Sequence, residues 1–316
     1  MSNYFKDLAK SAGNEYGMLV DDGIFGGDVS QYIDTGSYVF NALLSGSIYG
    51  GLPANKITAI AGESATGKTF FALGLVKHFL DMNPTGGCIY FESESALTSE
   101  MLKERGIDTT RVFHMPVATV EEFRYQAVKI LEKHGEINES ERPPLMMCLD
   151  SLGMLSTTKE MTDISSDSGK RDMTKAQVIK GAFRVLTLML AKVNVPFIVT
   201  NHVYEKIGSL YPTKVMGGGT AVQYAASSIV FLSKRKEKEG TLEMAEAAGI
   251  FKKVTTRYEL PDGSKLFGKQ ILKDPEKYFT EDILNQLDNY AKIEYTYGRT
   301  NGDVTGTDQE VLQQSS

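Results

Sequence analysis

Short apolar runs separated by longer stretches of mixed polarity set the rhythm of this chain. "KITAI" at 56–60, "GGCIYFE" at 86–92, "VFHMPV" at 112–117, "LMMCLD" at 145–150, "VPFIVTN" at 195–201 and "SSIVFLSK" at 227–234 are largely apolar or β-branched, as buried strands are. Between them the apolar spacing changes to that of a helix, near 118–133 and again over 172–194, where Ala176, Ile179, Phe183, Leu186 and Leu190 fall on one face. Strands alternating with helices predict an α/β fold with a mostly parallel central sheet flanked by helices. In such a sheet ligands gather beyond the carboxyl ends of the strands. From 241 to 295 the pattern reads helix, a strand pair closed by Pro261-Asp262-Gly263, then helices, which predicts a small α+β lobe. The last residues, 296–316, are polar and predict a disordered tail.

Composition changes this picture only at the margins. With 316 residues, 41% hydrophobic and 23% charged, the chain can hold one large domain and an appendage. A net charge of -6 excludes a generally basic coat, so any contact with a polynucleotide must be local. Cys88 and Cys148 each sit in an apolar run and read as buried thiols of a reducing compartment. The apolar runs are too short to cross a bilayer and the first residues lack a signal peptide's apolar stretch, which predicts a cytoplasmic protein without membrane partners.

The stretch that carries chemistry is "GESATGKT", Gly62 to Thr69, placed between the "KITAI" strand and an amphipathic helix. A helix N-terminus offers unpaired N–H groups and partial positive charge, so strand, glycine loop and helix in that order make a phosphate site. Gly62 and Gly67 allow the backbone to come close to the ligand, and Glu63, Ser64, Ala65, Thr66 and Phe70 complete the loop and its helix start. Lys68 reaches the β- and γ-phosphates and the Thr69 hydroxyl serves Mg²⁺. The pattern is a P-loop, and it implies a nucleoside triphosphate with magnesium.

The ends of the other strands supply acids. Asp150 closes "LMMCLD" and fits a carboxylate that holds Mg²⁺, partly through water. Glu92 and Glu94 follow "CIYF", and either could orient the attacking water; spacing alone leaves that choice open. Asn201 and His202 end "FIVTNH".

Taken in order, "IDTGSYVFNALLSGSIYGGLP", the P-loop, "FESESAL", "LDSLGML", "FIVTNH" and "KVMGGGTAVQYAASSIVFL" resemble the RecA family of homologous recombinases. The "NHVYE" run makes the chain similar to the UvsX-type branch found in bacteriophages. The resemblance spans about 35–235, with a weaker echo over 241–295. It implies a division into an N-terminal segment at 1–34 that contacts a neighbour in the polymer, a RecA-type ATPase core at 35–240, the small lobe at 241–295 and the tail. It puts the catalytic glutamate on Glu94 and the γ-phosphate sensor on Asn201 and His202. It also implies ATP as the nucleotide, self-association into a helical filament, single-stranded and homologous duplex DNA as partners, and a loader and a single-strand-binding protein as accessory partners. Two loops would meet DNA, through Lys159, Met161, Ile164, Lys170 and Arg171 in one and Lys206, Ile207, Lys214, Gly217, Gly218 and Gly219 in the other. Their Lys, Ser, Thr and Gly suit phosphate oxygens, and their Met and Ile suit wedging between bases.

The chain departs from the family after "FLSKRKEKEG", where relatives carry a further β-hairpin whose basic residues reach the neighbouring subunit's ATP. Here the sequence passes almost directly to "TLEMAEAAGIF". Two other readings therefore stand beside the recombinase: a ring-forming helicase or clock-type ATPase, and a shortened ATP- and DNA-binding module with little turnover.

Overall fold

The computed structural model describes residues 2–13, 17–165, 174–205, 214–217, 221–233 and 240–294. In chain order the elements begin with α1 (Ser2–Ser11), β1 (Tyr32–Ile33), α2 (Tyr38–Ser45), β2 (Leu52–Pro53), β3 (Ile57–Gly62), α3 (Lys68–Met82) and β4 (Gly87–Glu92). They continue with α4 (Ser99–Glu104), β5 (Val112–Pro116), α5 (Val120–Gly135), β6 (Leu145–Asp150), α6 (Thr158–Ser165), α7 (Lys175–Val193), β7 (Phe197–Glu205), β8 (Lys214–Met216), α8 (Ala221–Ala225) and β9 (Ser228–Leu232). The last are α9 (Gly240–Ala247), β10 (Lys252–Val254), β11 (Arg257–Glu259), β12 (Lys265–Leu266), α10 (Gly268–Lys273), α11 (Pro275–Tyr278) and α12 (Glu281–Glu294).

The described residues form two compact units, one within 1–33 and 52–235 and the other within 34–51 and 236–294. In the first, the strands line up as β5-β4-β6-β7-β3-β9, every neighbouring pair parallel, with β8 returning antiparallel on β7. Every residue of β3 is buried, which is why its sequence shows no polar alternation. One face of the sheet gives Ala59, Ala61, Met147, Leu149 and Val199 to a core shared with α5 and α7. At its centre Phe91 meets Phe123 edge-on at 5.1 Å, and Phe197 stacks on Phe123 at 5.8 Å and on Phe183 at 6.2 Å between ring centroids. α3 lies against β3, β4, β6 and β7.

The helices are bounded by local chemistry. The Thr119 hydroxyl accepts from Glu122 N at 3.1 Å while Glu122 returns a carboxylate to Ala118 N at 3.0 Å, fixing the start of α5. α7 stops at Asn194, whose φ of 55° is the left-handed conformation asparagine tolerates.

The second unit has its own core of Ala42, Ile48, Leu242, Phe251, Tyr258, Ile271 and Leu287. Ala42 and Ile48 join it from α2 and the loop after it, and buried Asp288 of α12 accepts from Ile48 N at 3.0 Å. Residues 34–51 thus pack with the small lobe, whereas the sequence division put 35–51 with the core. The lobe's sheet has three strands, because the turn at Pro261-Asp262-Gly263 joins β11 to a further strand, β12. Gly263 takes φ of 80° there. Among the described residues no helix is long and apolar enough to cross a membrane. Both cysteines are free and buried, and burial pushes both thiols above their usual range.

Candidate functional site

The carboxyl ends of β3, β4 and β6 lie at one edge of the sheet, level with Asn201 and His202 of β7, which does not end there as the sequence suggested but runs on to Glu205, and the loop from β3 to α3 starts at this edge. Gly67, with φ of 92°, caps α3, and Ala65 also takes a positive φ of 57°. Gly62 has no room for a side chain, since a Cβ there would lie 2.4 Å from Thr66 Oγ1 and 3.0 Å from Leu232 O. Lys68 is 7% exposed, and its ammonium donates to Gly62 O at 3.2 Å and Glu63 O at 2.9 Å. Burial pushes this lysine below its ordinary pKa, while the carboxylates of Glu94 and Asp150 pull the other way without cancelling the effect.

Asp150 is buried and accepts from three hydroxyls: Thr69 Oγ1 at 2.7 Å, Tyr90 OH at 2.8 Å and Thr200 Oγ1. Thr69 and Asp150, the two residues the sequence reading assigned to Mg²⁺, are joined by this hydrogen bond. Tyr90 and Thr200 were not foreseen. Burial and the Asp150 charge hold the Tyr90 phenol well above its ordinary value, so it remains a donor.

The two glutamates separate cleanly. Glu92 is buried, with one oxygen accepting from Ala96 N at 2.7 Å and the other 3.3 Å from His114 Nε2 on β5. Glu94 accepts through Oε1 from Ser151 Oγ at 2.6 Å and meets His202 Nε2 at 3.0 Å. Burial alone would raise the Glu94 pKa, but the hydrogen bonds from Ser151 and His202, with the charges of His202 and Lys68, bring it below the usual value.

Beside His202, the Asn201 side chain is fully buried. Its Nδ2 donates to Gly217 O at 2.8 Å and its Oδ1 accepts from His202 N at 2.9 Å. A Cβ on Gly153 would come within 3.0 Å of Asn201 Oδ1, and one on Gly217 within 3.2 Å. Asn201 thus fills the space between the segment after β6 and the return of β8.

Of the loop residues, Met161 is 48% exposed on α6, with Lys159 exposed on the same helix. Ile164 and Lys214 lie on described backbone, their side chains outside the description. Lys170, Arg171, Lys206, Ile207, Gly218 and Gly219 lie outside the described residues. A cavity of about 550 Å³ between α7 and α8 brings Lys180 and Arg184 beside Tyr224, which is 83% exposed. The sequence reading did not name these two cations, although their spacing of four puts them on one helix face.

The chain matches the RecA N-terminal domain over residues 2–258. It is 34% identical over 203 residues to the "Recombination and repair protein" of Enterobacteria phage T4, covering 64% of this chain and 50% of that one. It is 29% identical over 230 residues to "Protein RecA" of Malacoplasma penetrans, 72% of this chain and 64% of that one. With "Protein RecA" of Deinococcus radiodurans it shares 28% identity over 227 residues, 72% of this chain and 58% of that one. The chain spans between half and two thirds of the length of these curated relatives. The family match runs through the phosphate loop, the acidic strand ends and the entire parallel sheet, and the chain therefore belongs to the RecA family.

Proposed function

We propose that the chain is an ATP-dependent DNA recombinase that polymerises on single-stranded DNA, pairs it with a homologous duplex and exchanges strands. One observation carries the reading. Glu94, beside the phosphate loop, meets His202, and the adjoining Asn201 holds Gly217, where the glycine run of the second loop begins. A group that touches the γ-phosphate can bias that contact, and with it the loop's grip on DNA.

The roles follow from position. The amides of Glu63 to Thr69 and the Lys68 ammonium hold the phosphates. Glu94 orients the attacking water and accepts its proton. Asn201 and His202 sense whether the γ-phosphate is present. Thr69 and Asp150 offer oxygen donors, as a hard cation requires, and no three acidic, His or Cys side chains converge as a metal cage among the described residues. That donor set fits Mg²⁺, which Thr69 and Asp150 would hold and which would supply neutralisation of phosphate charge. Lys159, Met161, Ile164, Lys170, Arg171, Lys206, Ile207, Lys214 and the glycines at 217–219 face DNA in this reading, joined by Lys180 and Arg184. A loader and a single-strand-binding protein are the accessory partners.

The test is steady-state ATP hydrolysis with and without single-stranded DNA, alongside electron microscopy. DNA-stimulated turnover and helical filaments support the proposal, and closed rings would replace it with the ring-ATPase reading. The direct passage from "FLSKRKEKEG" to "TLEMAEAAGIF" in the sequence favours one further reading, a module that binds ATP and DNA with little turnover; it predicts nucleotide-dependent DNA binding with a hydrolysis rate unmoved by DNA.

A further inference from the structure

Phe70 is the third residue of α3, two positions beyond Lys68, and it is 57% exposed at the rim of the phosphate loop. An apolar ring left in water beside a polar cradle needs a reason. It is also held. The Arg105 guanidinium lies 4.4 Å from the ring centroid, and the Phe71 ring meets it edge-on at 5.9 Å and 79°. Arg105 is the C-terminal cap of α4, the helix that follows the Glu94 segment, so two elements converge on this one side chain. Phe70 also starts close to the loop itself, its Cβ standing 3.9 Å from where a Cβ on Gly67 would lie.

A triphosphate seated on the loop amides carries its sugar and base outward past the first turn of α3, where a flat apolar surface is the complement a base requires. We propose that the Phe70 ring, backed by Arg105, is the platform on which the nucleobase of the bound triphosphate stacks. The inference rests on the loop's reading as a nucleotide cradle and adds to it the residues that hold the base. Stacking is tolerant of base identity because every base has a π-face, but a purine offers the larger overlap. The platform therefore favours purine over pyrimidine triphosphates, and Arg105 fixes the ring by a cation–π contact.

The chain contains no tryptophan, so Phe70→Trp introduces a single indole reporter. In that variant, magnesium with ATP should quench the indole and magnesium with inorganic tripolyphosphate should not. By calorimetry, wild type should bind ATP more tightly than tripolyphosphate. Phe70→Ala should lose about tenfold in ATP affinity while its tripolyphosphate affinity stays the same. Arg105→Gln should show a smaller loss confined to ATP. Equal losses of both ligands in Phe70→Ala, or no loss of ATP affinity, would overturn the platform while leaving the cradle standing. A wild-type chain that binds neither ligand would overturn both, and Lys68→Ala, expected to lose both, marks that case.

Discussion

Glu92 and Glu94 leave the same strand two residues apart, and their partners decide what each can do. Glu92 spends its oxygens on Ala96 N and His114, so its loss would loosen a loop. Glu94 faces Ser151 and His202 at the phosphate edge and is kept ionised. Glu94→Gln should therefore keep ATP binding and slow kcat by about 10²–10⁴-fold, the range for a lost general base; single-turnover hydrolysis measures it, and an unchanged rate would remove Glu94 from the role. The lowered pKa has a sign that can be followed. A carboxylate whose folded pKa lies below its unfolded value adds stability above the unfolded pKa, and that stability is lost as pH falls through the folded pKa. The acid limb of the rate profile should accordingly lie below the ordinary glutamate range. His202→Ala removes both a hydrogen bond and a charge that lower the Glu94 pKa, so it should move that limb upward. The same variant should weaken the dependence of DNA affinity on ATP; a DNA affinity that still follows nucleotide as in wild type would dismiss the coupling.

β4, β6 and β7 place the hydroxyls around Asp150 by register. Leu149 pairs with Val199, so the next rung sets Asp150 beside Thr200, while Tyr90 stands diagonal to Asp150 through the pairing of Glu92 with Asp150. Tyr90→Phe should cost about 1.5–3 kcal/mol in urea unfolding, the range for a hydrogen bond to a charged group. Equal stability would mean that Asp150 finds another donor. Much of this architecture was legible in the sequence: the apolar runs became the parallel strands, and the periodic stretches near 118–133 and 172–194 became α5 and α7. The cluster around Asp150 was not, because hydrophobic pattern marks a strand without stating which strand lies beside it, and Tyr90 and Thr200 matter only through their neighbours. Residues 34–51 illustrate the same limit. Ala42 and Ile48 look like any apolar pair until Asp288, some 240 positions later, accepts from Ile48 N. Spacing likewise left Glu92 and Glu94 open and only the resemblance pointed to Glu94, since identical side chains are told apart by what surrounds them.

A net charge of -6 means that the molecule as a whole repels a polyanion at long range, so the proposed binding of single-stranded DNA would have to come from a few local cations. Lys180 and Arg184 line the cavity that Tyr224 borders, and the proposal gives them phosphate contacts there. If they make such contacts, each displaces counterions, and the logarithm of the affinity for single-stranded DNA falls with the logarithm of salt by about 0.7 per phosphate contact. Lys180→Ala and Arg184→Ala should each reduce that slope by about this amount, measured by fluorescence anisotropy on a labelled oligonucleotide across a salt series. Lys133→Ala serves as the comparison, because Lys133 is paired with Glu136 on the exposed side of α5 and should leave the slope as it is. A uniform drop for all three would reduce the effect to bulk charge. An unchanged slope for Lys180→Ala and Arg184→Ala would move the proposed DNA path away from α7, leaving the two segments at 159–171 and 206–219 to carry it. The second outcome would still be compatible with a filament, whereas an affinity insensitive to salt in the wild type would count against the proposal, in which cations that displace counterions carry most of the affinity.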